Sequence, residues 1–480
     1  WQTSGTTRQL NNTVAIGGVV HAASESAAAT PRPFTLRASP QPATATNYDG
    51  TPTAVSGFPA CVLPAGCATG TLSFNGASWT AAGSGVRENA TAHYAEAGTS
   101  NLQLEDAAYA AVDTADGSNA ATRTIPATAT AQIGRFVPDR FTFSGANTPQ
   151  FRTYSTACVA ARSFTYIGQP FWYVAASLPT ATLNAVNANG TVTSNYRGAL
   201  FKLTAAGLSE TYSNNATGPA PDTSLAGAPT NPPTLTGIGN GTGTYTAAAG
   251  GTIAYTRSTA AVIPANSNPF TANLSLTVAA TDTNENGVVG NPGNGATPAL
   301  TSSPPLVFDG GGTGIAFDGG AFTAFAPNIA GGKAFVYGIM KLDNALGSEK
   351  LDLPMPLRTL FWTGAAFALN TGDNCTSISL ANVSFPAYHG GLNAGNMPAG
   401  NLSGTGVFTG GVGNFSVKKP TSSATGAVDV NINLTAEFKT WLQLLRSSPP
   451  NTYTQDPLGR AAFGVYGAQP RNFIFFRENY

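Results

Sequence analysis

The sequence predicts an all-β protein, with tandem β-sandwich domains of the immunoglobulin-like type, a C-terminal β-rich domain and at most one short helix. The first observation behind this prediction is a series of short segments rich in aromatic and β-branched residues, separated by clusters of Gly, Asn, Pro and Ser. The second is the composition, because the 480 residues include 55 Gly and 33 Pro and yet are 42% hydrophobic. Such a chain can build hydrophobic cores joined by many turns, and it does not fit disorder driven by high charge and low hydrophobicity.

The predicted strands are short, and several alternate apolar with polar residues, as in sandwiches and barrels. The clearest of them are Phe34–Ala38, Phe141–Phe143, Phe171–Val174, Leu200–Leu203, Asn273–Val278 and Asn472–Arg477. One helix is predicted at Ala436–Arg446, where apolar residues recur on one face and two prolines follow. The residues on that face are Phe438, Trp441, Leu442 and Leu445. A strand followed by a turn is the alternative interpretation of this segment.

The length exceeds that of one typical domain, which runs to ~100–200 residues. We predict an N-terminal arm at residues 1–30, sandwich domains at 31–135 and 136–310, and a C-terminal β domain at 311–480. A weak internal repeat supports two related sandwich domains, because the tetrapeptides beginning at Asn47 and Asn195 both read Asn-Tyr-x-Gly. We expect Tyr48 and Tyr196 to pack beneath the turns that Asn and Gly form.

The arm alternates apolar and polar residues around Val14 and Ile16 and carries few large apolar side chains. It is interpreted either as a disordered leader or as a strand lent to another domain or subunit. In the second case Val14, Ile16 and Val19 are the residues expected to mediate polymerisation. The chain begins with Trp1 rather than Met, which we interpret as a mature or trimmed form.

Charge argues against two classes of partner. Only 10% of the residues are charged, with 23 basic balanced by 23 acidic residues, and no basic cluster is visible. A nucleic-acid groove or a polybasic membrane surface needs such a cluster, so neither partner is expected. The longest apolar runs, such as Val14–Val20, are too short to span a bilayer, so no transmembrane segment is predicted.

The four cysteines predict disulfides and therefore an oxidising compartment outside the cytoplasm. Cys61 and Cys67 flank a turn-rich loop that a disulfide could close, which leaves Cys158 and Cys375 for a long-range disulfide. Free structural thiols are the alternative. A zinc site is a third interpretation, but the cysteine spacing differs from that of zinc motifs and the three histidines are scattered.

One segment resembles the first half of a calcium-binding loop. Asp282, Asn284 and Asn286 place oxygen ligands at alternate positions, and Gly287 follows at the sixth position, where the loop must turn sharply. The twelfth position is Gly293 instead of the bidentate Glu. An Asx-rich hairpin turn is the alternative, so the sequence predicts no cofactor other than a possible calcium ion.

Catalytic signatures are missing. No G-x-S-x-G motif occurs, and Ser416 and Lys419 have S-x-x-K spacing without the S-D-N and K-T-G motifs that should follow. The acidic residues suggest no pair of carboxylates for glycoside hydrolysis. We therefore predict that the protein is not an enzyme and nominate no catalytic residue.

A series of motifs begins at Ile133-Gly-Arg-Phe-Val-Pro-Asp-Arg-Phe-Thr142. The further stretches are Ser163–Phe171 preceded by Cys158, Asn195–Gly198, three segments between Asn344 and Thr376, and Asp456–Gly464 followed by Phe475–Glu478. In this order they resemble the MshQ-like domain of the mannose-sensitive haemagglutinin (MSHA) type IV pilus system, a domain of unknown function in bacterial surface proteins. A departure from its pattern is Tyr337-Gly-Ile-Met-Lys341, where the family tends to have Arg after the Gly. The resemblance implies an exported β-rich protein tied to pili or the cell surface, and it supports pairing of Cys158 with Cys375.

The leading functional hypothesis is a secreted structural or adhesive protein of the bacterial cell surface, related to MSHA-type pilus components and self-assembling into an extracellular filament. Its expected partners are further copies of itself or other pilus and surface subunits, since low charge leaves little repulsion between copies. The alternative is a monomeric pilus-tip adhesin that binds glycans through exposed aromatics such as Trp79, Trp172 or Trp362. An enzyme acting on polysaccharide is the third hypothesis.

Overall fold

The computed structural model describes a chain built from short β-strands, mostly in antiparallel sheets. The described residues are 9–14, 21–29, 31–127, 130–152, 164–214, 225–226, 231–263, 267–285, 300–317, 334–446, 449 and 451–465. Within them the one α-helix is Ala120–Arg123, and no helix is long and apolar enough to cross a membrane. The prediction of an all-β fold of tandem sandwiches is thus confirmed.

The N domain, as we call residues 9–137, is a sandwich of two sheets. Its strands are β1 Gln9–Val14, β2 His21–Ala22, β3 Phe34–Gln41, β4 Thr53–Ala54, β5 Ala60–Leu63, β6 Leu72–Ser73, β7 Trp79–Gly83, β8 Val86–Tyr94, β9 Gly98–Leu102, β10 Leu104–Glu105 and β11 Ala131–Val137. One sheet has the order β1-β3-β8-β6, with β7 also on β8, and the other has the order β2-β11-β9-β5. Phe34, Leu36, Tyr94 and Phe136 lie in the core between them.

The middle domain comprises residues 138–317. Its strands are β12 Arg140–Ser144, β13 Gln150–Arg152, β14 Phe164–Tyr166, β15 Trp172–Tyr173, β16 Thr180–Val186, β17 Leu208–Asn214, β18 Leu225–Ala226, β19 Thr234–Gly239, β20 Thr242–Thr246, β21 Ala254–Tyr255, β22 Phe270–Thr271, β23 Leu274–Asp282, β24 Leu300–Thr301, β25 Leu306–Phe308 and β26 Ala316–Phe317. The sheet β12-β16-β20-β19 and the sheet formed by β17, β23, β24 and β25 enclose an aromatic core.

The C domain comprises residues 334–465. Its strands are β27 Ala334–Val336, β28 Gly338–Leu342, β29 Ala345–Gly347, β30 Leu353–Pro354, β31 Leu357–Trp362, β32 Phe367–Leu369, β33 Val383–Ser384, β34 Tyr388–Gly390, β35 Leu402–Thr409, β36 Val412–Val417, β37 Gly426–Ile432, β38 Leu444–Leu445, β39 Tyr453–Gln455 and β40 Leu458–Phe463. Two sheets, built around β31 with β36 and around β37 with β40, cover the third core. The predicted domain boundaries stay predictions.

Short 3-10 turns connect many of these strands. They are Gly76–Ser78, Ala111–Asp116, Ala175–Ser177, Gly198–Leu200, Ala205–Gly207, Gly310–Gly312, Leu380–Asn382, Thr421–Ser423 and Thr440–Leu442.

The middle and C domains exchange parts of their cores. Strand β14 belongs to the middle domain in sequence but pairs with β27, and its Phe164 and Tyr166 pack into the core of the C domain. In return, Tyr337 and Tyr453 of the C domain pack into the core of the middle domain. The two domains therefore share a continuous apolar interior at their junction.

The prediction of a helix at Ala436–Arg446 is wrong. The chain forms a turn, then the 3-10 turn Thr440–Leu442, and then β38, which pairs with β39. Phe438 has a left-handed backbone conformation, with φ of 51°, which ends any α-helical run there. An isolated helix of this length is marginal, so the strand pairing and the side-chain hydrogen bonds of the turn prevail over helix propensity.

Candidate functional site

The junction between the N and middle domains is built around a buried carboxylate. Arg32 Nε of the N domain donates to Asp139 Oδ1 at 2.7 Å, and the two side chains are only 8% and 2% exposed. Asp139 Oδ2 also accepts from Arg140 Nη1 at 3.0 Å. Arg32 of the N domain thus holds the adjacent pair Asp139 and Arg140, with which the middle domain begins.

A second set of contacts at this first junction centres on Asn195. Its Nδ2 donates to Ala68 O at 2.7 Å and to Ala97 O at 3.2 Å, and its Oδ1 accepts from Ala68 N at 2.9 Å. The carboxylate of Glu96 accepts from the backbone N–H groups of Ser194 and Asn195 at 3.0 and 3.2 Å. Each side chain therefore ties one domain to the backbone of the other.

The disulfide loop of the N domain is part of this junction. Cys61 and Cys67 form a disulfide in the structure. This disulfide closes a loop that contains Gly66, and Arg197 Nη2 of the middle domain donates to Gly66 O at 2.7 Å. By limiting the conformations of this loop, the disulfide holds the acceptor where Arg197 can reach it. Cys375 is also disulfide-bonded, whereas Cys158 lies outside the described residues.

The predicted calcium segment lies beside a buried ion-pair cluster. Glu285 is 0% exposed, and its carboxylate accepts from Arg135 Nη1 at 2.6 Å and Nη2 at 2.8 Å, while Lys202 Nζ lies 3.2 Å away. Asp282 is buried and Asn284 is exposed, whereas Asn286 lies outside the described residues. Within the described part of the chain no group of three His, Cys, Asp or Glu residues could hold a metal ion. Calcium binding stays a prediction.

Each of the three domain interiors contains a buried tyrosine whose hydroxyl donates to a buried aspartate, and the tyrosine in the C-domain core is Tyr166 of β14. The distances from the phenolic oxygen to Oδ2 are 2.8, 3.1 and 2.7 Å for the pairs Tyr48–Asp106, Tyr196–Asp282 and Tyr166–Asp373. In every pair the second carboxylate oxygen accepts a backbone N–H two or three residues further along, at Ala108, Asn284 and Thr376. The tyrosines of the Asn-Tyr-x-Gly repeat do pack inside, and each fixes a distant turn by its hydroxyl.

The junction between the middle and C domains is built around Arg257. Its guanidinium lies over the ring of Tyr337, 4.3 Å from the centroid, and near that of Tyr453 at 5.7 Å. Its Nη atoms donate to the carbonyl oxygens of Tyr453 at 3.1 Å, Gly338 at 3.2 Å and Gln443 at 2.9 Å. Burial lowers the pKa of Arg257 to about 10, so the group stays charged at neutral pH. A buried cation thus sits on aromatic faces and carbonyl dipoles of the opposite domain.

Glycine permits the close approach of the backbones at this second junction. A Cβ atom at position 338 would lie 2.3 Å from Cδ1 of Tyr166, so any larger residue would push the middle and C domains apart. Trp362 adds a contact, because its Nε1 donates to Oδ1 of Asn268 at 3.0 Å.

The N-terminal arm pairs within its own chain. Strand β1 is antiparallel to β3, with Val14 opposite Leu36. Ile16 and Val19 lie outside the described residues. The edge of the N domain therefore accepts the arm, and pairing with a second copy stays a prediction.

The aromatic residues expected to bind glycans are packed. Trp79 is 5% exposed and its Nε1 donates to Pro52 O, so the expectation of an exposed ring is wrong there. Trp172 and Trp362 are half-buried with their indole N–H groups hydrogen-bonded, because both rings fill space in the middle-domain core. Among the residues that the structure describes, the exposed aromatic is instead Phe438, which is 84% exposed and which the helix prediction placed on a buried face.

Phe438 stands on a braced turn. The carboxylate of the preceding Glu437 accepts from Ser379 N and Asn382 Nδ2, both at 2.7 Å, and from Lys439 Nζ at 3.0 Å. A left-handed conformation is uncommon for a bulky residue, and such strain persists only where neighbouring contacts impose it. The turn therefore holds an apolar ring in solvent.

The sequence motifs and the junctions coincide. Arg135, Asp139, Asn195 and Arg197 all belong to the motifs that carry the family resemblance, and all of them make the contacts between the N and middle domains described above. Sequence reasoning missed their partners Arg32, Glu96 and Glu285, and it missed Arg257 altogether. The one feature of the sequence that could have pointed to these residues is the scarcity of charge. In a chain with so few charged residues, each of them is a candidate for a specific contact.

Two family models match the sequence. The model described as DUF6701, third domain, covers residues 96–304, and the model described as DUF6701, fourth domain, covers residues 336–479. The first match begins at Glu96, so it includes Glu96 and the middle-domain side of the first junction but neither Arg32 nor the disulfide loop. A comparison with curated proteins found no match.

The solved structures include distant likenesses. One is to FdeC, an adhesin of Escherichia coli described as broadly conserved and as eliciting protection against urinary tract infections, with 15% identity, a TM-score of 0.28 and coverage of 95% of this chain and 96% of that chain. Another is to the EC3-6 segment of protocadherin gammaB7, with 9% identity, a TM-score of 0.18 and coverage of 84% and 71%. TM-scores this low carry no argument about the function of the chain.

Proposed function

Because the chain belongs to the DUF6701 family, whose third and fourth domains it contains, we propose that it is a stiff structural segment of an exported protein of the bacterial cell surface. The observation that carries the proposal is the burial of charged and amide side chains across both domain junctions. Domains joined by an ordinary polar interface are expected to move relative to one another. Here a hinge motion would separate Arg32 from Asp139 and Arg257 from its carbonyl acceptors, leaving buried charges unpaired.

A stiff row of sandwich domains suits a stalk or filament subunit better than a catalyst. The disulfide between Cys61 and Cys67 supports export, since disulfides persist in oxidising compartments. The ordered motifs that resemble the MshQ-like domain support a relation to MSHA-type pili. We further propose that copies assemble head to tail when strand β1 pairs with β3 of a neighbour instead of its own β3, which is a domain swap.

Strand exchange can be blocked by a disulfide that locks the arm in its own chain. Thr13 lies opposite Arg37 in the pairing of β1 with β3, so the double variant Thr13→Cys with Arg37→Cys should close this pair. We expect filaments of the unaltered protein in negative-stain electron microscopy, none from the oxidised double variant, and their return on mild reduction. Filaments that form equally well from the oxidised variant would contradict strand exchange. The unaltered protein under the same reducing conditions is the control.

A second candidate function is a monomeric adhesin that binds carbohydrate. The exposed ring of Phe438 favours it, because an apolar ring held rigidly in solvent offers a face on which a sugar ring can stack. The braced turn also removes part of the entropy that a flexible aromatic would lose on binding.

The adhesin alternative predicts a dependence on this one ring. On a glycan array we expect binding by the unaltered chain and a loss of at least about tenfold in affinity for Phe438→Ser, which corresponds to about 1.4 kcal/mol. The matched control is Val112→Ser, because Val112 is an equally exposed apolar residue, at 86%, in another domain. If the unaltered chain binds no glycan, or if both variants lose affinity alike, this function is rejected.

A further inference from the structure

A carboxyl group without a cationic partner lies among tyrosines inside the middle domain. Glu210, Tyr212 and Asn214 alternate along β17 on the face that points inward. The Oε1 atom of Glu210 accepts a hydrogen bond from the hydroxyl of Tyr245 at 2.6 Å. Its Oε2 atom is buried and accepts no hydrogen bond from the residues that the structure describes. This arrangement is unusual for a carboxylate, because a buried charge normally has a cation or several donors around it.

Two tyrosines lie beside the carboxyl and offer it no hydrogen bond. The rings of Tyr173 and Tyr212 are 6.4 Å apart, and Tyr173 is only 5% exposed. Both phenol groups interact electrostatically with Glu210, but neither hydroxyl donates to its carboxyl group. The ionisable groups that face the carboxyl are Tyr245 from β20, Tyr173 from β15 and Tyr212 from β17 itself, and in the described part of the chain none of the groups facing it is a cation.

A proton on Oε2 removes the charge that these surroundings do not compensate. A neutral carboxylic acid loses far less solvation on burial than a carboxylate does, while Oε1 goes on accepting from Tyr245. The single hydrogen bond from Tyr245 does not offset the burial of a full negative charge. We infer that Glu210 is a neutral acid in the folded protein and that its ionisation at higher pH weakens the middle domain.

The electrostatics agree with this geometry. Burial raises the pKa of the Glu210 carboxyl, and the hydrogen bond from Tyr245 offsets only part of that rise. An acid with a raised pKa in the folded state stabilises the fold fully below its unfolded pKa, and this contribution is lost as the pH rises through the folded pKa. Under the proposed function, a surface stalk would consequently be firmest in mildly acidic surroundings. The inference about Glu210 itself does not depend on that function.

The test compares the full chain with Glu210→Gln by calorimetry across a range of pH. Glutamine mimics the neutral acid, so at about pH 8 we expect the variant to melt about 2–4 °C above the unaltered chain, and at about pH 4 we expect no difference. Glu105→Gln is the control, since Glu105 is half-buried on β10 and should show no difference at either pH. A Glu210→Gln variant that is less stable at about pH 8 would overturn the inference.

A spectroscopic measurement keeps the inference testable if the variant folds poorly. Carbon NMR of the chain labelled at glutamate side-chain carboxyls should show one carboxyl that stays neutral well above the usual titration range. Tyr245→Phe should move its midpoint further upward, because the phenol donor that favours the ionised form is gone. Titration of every carboxyl in the ordinary range would overturn the inference.

Discussion

Replacing Arg257 with methionine is expected to lower the free energy of unfolding by about 2–4 kcal/mol and to loosen the C domain from the middle domain. Methionine keeps much of the apolar volume, but it leaves the carbonyl oxygens of Gly338, Gln443 and Tyr453 without their donor. It also removes the cation from the faces of Tyr337 and Tyr453. The loss is limited because the variant, unlike the unaltered protein, does not have to bury a charge.

Denaturant unfolding measures the stability, and limited proteolysis reports the loosening of the junction. Arg257→Lys should recover only part of the loss, because an ammonium group lacks the planar fork that reaches several carbonyls. Arg123→Met is the control, since Arg123 lies on the short helix of the N domain and its guanidinium makes local hydrogen bonds to Ser118, so its replacement should cost no more than about 1 kcal/mol. Equal effects of the Arg257 and Arg123 variants would contradict the assigned role of Arg257.

Replacing Asp139 with asparagine is expected to cost about 3–5 kcal/mol of stability at the junction of the N and middle domains. The change is isosteric and removes one charge, which leaves Arg32 buried and uncompensated at 8% exposure. Because the pair is shielded from solvent, added salt should hardly change the stability lost in the Asp139→Asn variant. The contribution of a surface ion pair, in contrast, falls as salt is added.

The measurement is denaturant unfolding of the full chain at low and high salt. Asp113→Asn is the matched control, because Asp113 is an exposed aspartate of the adjoining N domain and its loss should be nearly neutral. An Asp139 effect that disappears in high salt would mean that the pair is effectively solvent-exposed, which the burial of both side chains does not allow.

Local patterns in the sequence could predict the fold class and some buried positions. Alternation and turn residues predicted strands, and the Asn-Tyr-x-Gly repeat predicted that Tyr48 and Tyr196 pack inside. Their partners Asp106 and Asp282 could not be predicted, because they lie far along the chain and no local pattern links a tyrosine to a distant aspartate. The same holds for Arg257, whose acceptors are backbone carbonyls and leave no trace in the amino-acid sequence.

The segment around Phe438 shows where local patterns fail. Helical spacing of apolar residues predicted one buried face, but side-chain hydrogen bonds to Glu437 and the pairing of β38 with β39 impose a different backbone. Phe438 consequently points into solvent, and Trp79, expected at the surface, fills the core of the N domain. Whether a single aromatic side chain is exposed depends on tertiary contacts, and these cannot be predicted from composition and periodicity.

The exchange of strands between the middle and C domains has a mechanical consequence. Strands β14 and β27 run parallel, with Phe164 opposite Ala334 and Tyr166 opposite Val336. Tension applied to the two ends of the chain pulls β14 from its upstream end and β27 from its downstream end, so the strands slide along each other. Their hydrogen bonds then bear the force together instead of opening one after another. A shear joint of this kind resists stretching, which is the load that the proposed stalk or filament subunit would carry.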